Sequence, residues 1–159
     1  MSSDSHNLHG SAPDKSKTAL LVIDVINDFD FDEADQLLKL ANPMAENLSS
    51  LLSRARQARM PVVLKQKHSG FFATTLDTLL NYLEVESVIL TGIATNICVL
   101  FTANDAYMRD LRLIVPADCV AANTQELTDY TLNQMKTVLK TDVVSGAKLT
   151  PVKLKELIG

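Results

Sequence analysis

The sequence has no tryptophan, two cysteines and three histidines in 159 residues. Two cysteines do not make the disulfide framework of a small secreted domain, so a reducing, cytoplasmic setting is expected. No apolar run approaches the roughly 20 residues needed to cross a bilayer. The first residues lack the charged-then-apolar pattern of an export signal. Positive charge is also short: 15 Lys and Arg stand against 19 Asp and Glu, giving a formal charge of −4 and a pI near 5.3. With no Lys/Arg-rich run either, neither nucleic acid nor a membrane is an expected partner. No internal repeat or linker divides the chain. What is present is 47% apolar residues, enough for one globular domain with a real core.

Residues 1–17 are Ser, Asp, His, Gly and Pro with scarcely an apolar side chain, and read as a disordered tail. His6 and His9 lie there and carry no catalytic weight. The domain is expected over residues 18–159. Thr18-Ala-Leu-Leu-Val-Ile-Asp24 reads as a strand buried on both faces, as in a parallel sheet covered by helices. Asp24 closes it, at the strand end where open α/β sheets bind ligands. Alone, it reads first as an acid capping the loop that follows. Asn27 and Asp28 are expected to organise the loop that follows.

Asn42-Pro43 has the form of a helix start, preceded by a shorter acidic helix over residues 32–40. Met44, Leu48, Leu51, Leu52 and Ala55 then recur at helical spacing. Pro61-Val-Val-Leu-Lys65 is a second strand. Lys65 at its end is either an ordinary surface lysine or a charge partner for a nearby anion. His68, the one histidine of the folded part and so the one that any Cys/His dyad would have to use, is read as ordering its loop. Phe71 and Phe72 lead to a helix capped by Thr74 or Thr75, with Leu76, Leu79, Leu80 and Leu83 as its buried stripe. Residues 112–116 form a further strand, and 117–122 a loop in which Cys119 is structural. Asn123 and Glu126 resemble a capping box for a helix to residue 139. A weak strand over 141–144 and a terminal helix opened by Thr150-Pro151 complete the chain. Strands alternating with helices predict a three-layer α/β/α sandwich around a mostly parallel, Rossmann-like sheet of five to six strands.

The stretch with the most chemistry is Leu90-Thr-Gly-Ile-Ala-Thr-Asn-Ile-Cys98. An apolar strand runs into Gly92, which permits a sharp turn, and Thr95 has the position of a helix N-cap. Cys98 would then lie in the first helical turn. There, unpaired N–H groups and the helix dipole favour thiolate, and the same N–H groups can hold an oxyanion. The stretch alone supports two readings equally: a nucleophile, or a small buried apolar residue.

Three segments together resemble the isochorismatase-like cysteine hydrolases, a superfamily that includes nicotinamidases and related amidases. They are Leu-Val-Ile-Asp24-Val-Ile-Asn-Asp-Phe29, Lys65-Gln-Lys-His-Ser-Gly-Phe-Phe-Ala-Thr, and Gly92-Ile-Ala-Thr-Asn-Ile-Cys98-Val with Thr102-Ala103 and Asp105-Ala106. The resemblance implies Asp24 as general base and acid, Lys65 as charge stabiliser and Cys98 as nucleophile. It also implies a cis peptide bond at Ile93–Ala94 and an oxyanion hole from the N–H groups of Ala94 and Cys98. Phe29, Phe71 and Asn96 are the expected substrate-pocket residues.

The implied activity is hydrolysis of a C–N amide bond in a small molecule through a thioester, by a homo-oligomer, dimer or tetramer. Two departures from the family pattern stand out. Pro61-Val-Val-Leu runs directly into Lys65, where members usually have a longer segment that helps build the pocket. The Asp-x-His zinc site of nicotinamidases is also missing, so no metal or cofactor is expected and a metal-free amidase fits better. The alternative is a non-enzymatic member, acting in binding or as a scaffold, whose shortened segment has disabled the site. Isochorismate hydrolysis fits less well, because members with that activity generally lack the cysteine. A redox role fits least, as Cys119 bears no CxxC relation to Cys98.

Overall fold

A computed structural model describes residues 15–159 except Asn27, Asp28, Phe31 and Lys67. The expectations for His6, His9, Asn27 and Asp28 therefore lie outside the described residues. The elements run β1 (Thr18–Ile23), α1 (Ala34–Gln57), β2 (Val62–Lys65), α2 (Leu76–Tyr82) and β3 (Ser87–Ile93). A π-helical turn (Thr95–Val99) leads into α3 (Leu100–Tyr107). Then come β4 (Arg112–Pro116), β5 (Val120–Ala121), α4 (Gln125–Val138), β6 (Asp142–Val144) and α5 (Pro151–Ile158).

Six strands form one sheet, ordered β2-β1-β3-β4-β6, with β5 pairing the end of β3. Every pairing is parallel. The central strands β1 and β3 are buried throughout, which is why their sequences are unbroken apolar runs. Ala19, Leu21 and Ile23 of β1 face α2, α3 and α4, while Leu20 and Val22 face α1 and α5. The alternation of Cβ atoms along a strand thus sorts one sequence into two cores. The result is the three-layer sandwich expected from the sequence.

Four local expectations are corrected. The two helices divided at Asn42-Pro43 are one helix, with Pro43 inside it. Pro43 falls on the exposed face, while Leu37, Ala41, Met44, Leu48, Leu51 and Ala55 keep one apolar stripe in phase across it. Burial of that continuous stripe outweighs one missing N–H. The capping box at α4 does not form. Thr124 is the N-cap, its Oγ1 accepting from the Leu127 N–H at 3.1 Å, and Asn123 instead donates to Glu33 at 2.9 Å. Leu79 faces outward on α2, leaving Leu76, Leu80 and Leu83 buried. The loop expected over residues 117–122 contains a 3-10 turn (Ala117–Cys119) and the short β5. At α5 the reading holds: Thr150 caps the helix and Pro151 follows it.

Residues 15–17, read as tail, lie against the fold. The Ser16 N–H donates to the Leu83 carbonyl at 2.7 Å, and the Lys17 N–H to that of Ile158 at 3.3 Å.

Candidate active site

The carboxyl ends of β1, β2 and β3 lie side by side, and each delivers one residue of interest. Gly92 makes that approach possible. Its φ is +115°, and a Cβ there would stand 1.9 Å from the Ile23 carbonyl oxygen. Only glycine permits so close an approach of β3 to the end of β1, where Gly92 pairs in register with Ile23. The following peptide bond, Ile93–Ala94, is cis.

Ala94, in extended conformation, occupies the cap position before the π-helical turn, and Thr95 does not cap it. The reason is the register of the turn: the Ala94 carbonyl accepts from the N–H groups of both Ile97 (3.1 Å) and Val99 (3.2 Å). The Thr95 side chain is buried, and its Oγ1 finds no hydrogen-bond partner. Cys98 is therefore carried by a wider turn than the α-helical start expected from the sequence. The residue is 5% exposed and belongs to the core cluster that includes residues of α2, α3 and α4.

Asp24 adopts a left-handed backbone, φ +52°, immediately after β1. The bend turns its carboxylate to Cys98, whose Sγ donates to Asp24 Oδ2 at 3.3 Å. The thiol is pushed up from the usual 9.0 to about 11, first by burial and then by the hydrogen bond to and charge of Asp24. The N–H groups of Ala94 and Cys98 act in the opposite direction on the sulfur. The resting group is thus a protonated thiol with a proton acceptor in contact and backbone donors beside it.

Lys65 pairs in register with Ile23, so its side chain leaves the sheet on the Cys98 side. Its carbonyl accepts from the Asp24 N–H at 2.7 Å. The side chain is half-buried and forms no ion pair within 4 Å among the described residues. A surface hollow of about 510 Å³ lies beside it, lined by Lys65, Leu64, Ile26, Val25 and Thr75 but not by Asp24 or Cys98.

His68 is placed differently from its reading as a loop-ordering residue. Its Nδ1 stands 3.9 Å from Cys98 Sγ. The loop that carries it is held by α3. Ser69 Oγ donates to Asp105, and the Gly70 N–H donates to Thr102 Oγ1 at 3.0 Å. Thr102 in turn donates to the Cys98 carbonyl at 2.7 Å, joining the loop to the cysteine turn. The sequence signal for these anchors was available. Cys98, Thr102 and Asp105 recur at i, i+4 and i+7, one face of a helix.

The three pocket residues are not gathered in one place. Phe71 is buried in the same core cluster as Cys98, with the Arg109 guanidinium 4.4 Å above its ring. Phe29, at φ +57°, packs against the opposite core and lines a surface hollow with Asp30, Asp32 and Glu33. Asn96, within the cysteine turn, is half-buried. Cys119 is fully buried against Asp118 and is pushed up to about 12 by burial and that carboxylate. Among the described residues, no group of three or more His, Cys, Asp or Glu is arranged to hold a metal ion.

Comparison with known proteins agrees with this architecture. The family model described as the isochorismatase domain matches residues 61–147. An uncharacterized isochorismatase family protein, YaaI of Bacillus subtilis, is 34% identical over 176 aligned positions, covering 85% of this chain and 97% of that protein. The alignment is longer than this whole chain while covering only part of it, so the relative has positions with no counterpart here. Maleamate amidohydrolase of Pseudomonas putida is 39% identical over 79 residues, covering 50% of this chain and 36% of that one. The solved nicotinamidase of Staphylococcus aureus superposes with a TM-score of 0.68 at 26% identity, over 80% of this chain and 99% of that one.

Proposed function

This chain belongs to the isochorismatase family, and from that premise we propose that it is a cysteine hydrolase cleaving the C–N bond of a small amide. One observation carries the reading: the Cys98 thiol donates to Asp24 at 3.3 Å, with the backbone N–H groups of Ala94 and Cys98 directed at the same point. Relatives named as nicotinamidase and maleamate amidohydrolase, both acting on small amides, support the bond class.

In the proposed sequence, Asp24 takes the thiol proton as sulfur attacks the amide carbonyl. The oxyanion lies between the N–H groups of Ala94 and Cys98. Lys65, on the same side of the sheet, supplies positive charge to a site that holds a carboxylate and a developing anion. The C–N bond breaks, Asp24 returns its proton to the leaving nitrogen, and a thioester remains on Cys98. Water, giving its proton to the freed Asp24 carboxylate, then releases the acid and restores the thiol. The high thiol pKa is consistent with this order, because proton transfer is coupled to attack and no resting thiolate is needed.

The second reading is a non-enzymatic binding protein. It is favoured by the hollow beside Lys65, which does not reach Asp24 or Cys98, and by the aligned positions that this chain lacks. A screen of small primary amides with mass spectrometry of Cys98 separates the two. The hydrolase reading expects turnover, an acyl adduct on Cys98 and loss of both in Cys98→Ser. Turnover that survives Cys98→Ser, or a folded protein that acquires no adduct from any amide, overturns it.

A further inference from the structure

His68 Nδ1 lies 3.9 Å from Cys98 Sγ, and this is the only hydrogen bond of its side chain among the described residues. Its position is not that of a free loop residue. The next two residues, Ser69 and Gly70, are tied to Asp105 and Thr102 of α3, and Thr102 also holds the Cys98 carbonyl. Imidazole and thiol are therefore positioned from one helix. We propose that His68 is a further catalytic residue of this site, donating a hydrogen bond from Nδ1–H to the sulfur of Cys98 as the thiol proton leaves. This role rests on the cysteine hydrolase reading above.

The groups facing the sulfur make the need specific. From the end of β1 comes the Asp24 carboxylate, which accepts the proton but repels the thiolate left behind. From β2 comes Lys65, on the same side of the sheet but with no ion pair to Asp24. From α3, Asp105 faces Ser69 and Arg109, not the sulfur. The Ala94 and Cys98 N–H groups are the ones the carbonyl oxygen claims during attack. His68 is the remaining side-chain donor in contact with the sulfur. The step balances simply: the S–H bond breaks, its proton passes to Asp24 Oδ2, the electron pair stays on sulfur, and His68 keeps its own proton throughout. The role requires the tautomer with hydrogen on Nδ1, which the imidazolium form also satisfies.

The test needs no knowledge of the substrate. Alkylation of Cys98 by iodoacetamide is followed across the pH range in which the thiol titrates, in wild type, His68→Leu and His68→Gln. Loss of one hydrogen bond to an ionised sulfur is expected to slow His68→Leu about tenfold and to move its thiolate titration upward. His68→Gln, which keeps an N–H donor, recovers part of the rate. Both variants unfold at the wild-type temperature, because His68 is exposed. Wild-type alkylation and an unshifted titration in His68→Leu overturn the proposal, and equal slowing in Leu and Gln variants overturns the donor role. If amides acylate Cys98 while His68→Leu alkylates normally, the His68 proposal fails alone. If no amide acylates wild-type Cys98, the hydrolase reading fails, and with it any catalytic role for His68.

Discussion

The sulfur of Cys98 stands 3.3 Å from Asp24 Oδ2, although 74 residues separate them in the chain. The pair is held by two backbone features: the left-handed φ of Asp24 at the end of β1, and the close approach of β3 to that end at Gly92. The carboxylate then helps to hold the thiol's proton on, and the consequences are measurable.

Asp24→Asn separates two roles of the carboxylate. As a charge, Asp24 raises the thiol pKa, so its removal is expected to lower the Cys98 titration from about 11 toward 9.0 without reaching it, since burial is the larger cause. In its proposed role as base, its loss is expected to lower turnover by about 10²–10⁴. The variant thus alkylates faster at mildly alkaline pH while hydrolysing amides more slowly. Parallel measurement of the two rates checks this, and a fall in both contradicts the assigned geometry.

Thr102→Val keeps the shape of a fully buried side chain but removes two hydrogen bonds, one to the Cys98 carbonyl and one from the Gly70 N–H. The stranded groups are expected to cost about 1–3 kcal/mol of stability. Urea unfolding measures that loss. The loop carrying His68 would also loosen, so amidase activity is expected to drop more than in an α3 surface variant of equal stability.

Alkaline pH should destabilise the fold through its two buried thiols. Both are raised in the folded state, Cys98 to about 11 and Cys119 to about 12, each from 9.0. The protonated form is favoured by folding, so the contribution is complete below pH 9 and is lost as pH rises through 11 and 12. The loss is on the order of 3 kcal/mol for Cys98 and about 4 kcal/mol for Cys119. Cys119→Ala is expected to lower stability at neutral pH and to show a shallower decline above pH 9 than wild type. Identical slopes from pH-dependent unfolding would count against the burial of Cys119.

Pro43→Ala should stabilise the protein. Pro43 sits on the exposed side of α1 and provides no N–H to the carbonyl four residues earlier. An alanine restores that donor without disturbing the buried stripe, for an expected gain of about 1–3 kcal/mol. Thermal unfolding checks it, and a destabilised variant would mean that the proline shapes the helix to fit the sheet.

The sequence by itself determined the layers. Unbroken apolar runs in β1 and β3 demand burial on both faces, and stripes at helical spacing supply the covers, so alternation of the two leaves few architectures open. It also supplied Asp24, Lys65 and Cys98 as strand-end and helix-start residues, because such positions follow from chain order. The tertiary structure decided what depends on distant atoms meeting. Asn42-Pro43 and Thr95 carry good local start signals, yet a continuous buried stripe and a bifurcated Ala94 carbonyl overrode them. His68 reads from its neighbours as a loop residue. It faces Cys98 only because Ser69 and Gly70 are fastened to α3 from 36 and 32 residues away. The stretch from Leu90 to Cys98 divides in the same way: Gly92 and Cys98 are legible as a turn and a thiol. That the thiol is protonated, raised to about 11 and in contact with a carboxylate and an imidazole follows from burial and through-space charge, which no local pattern encodes.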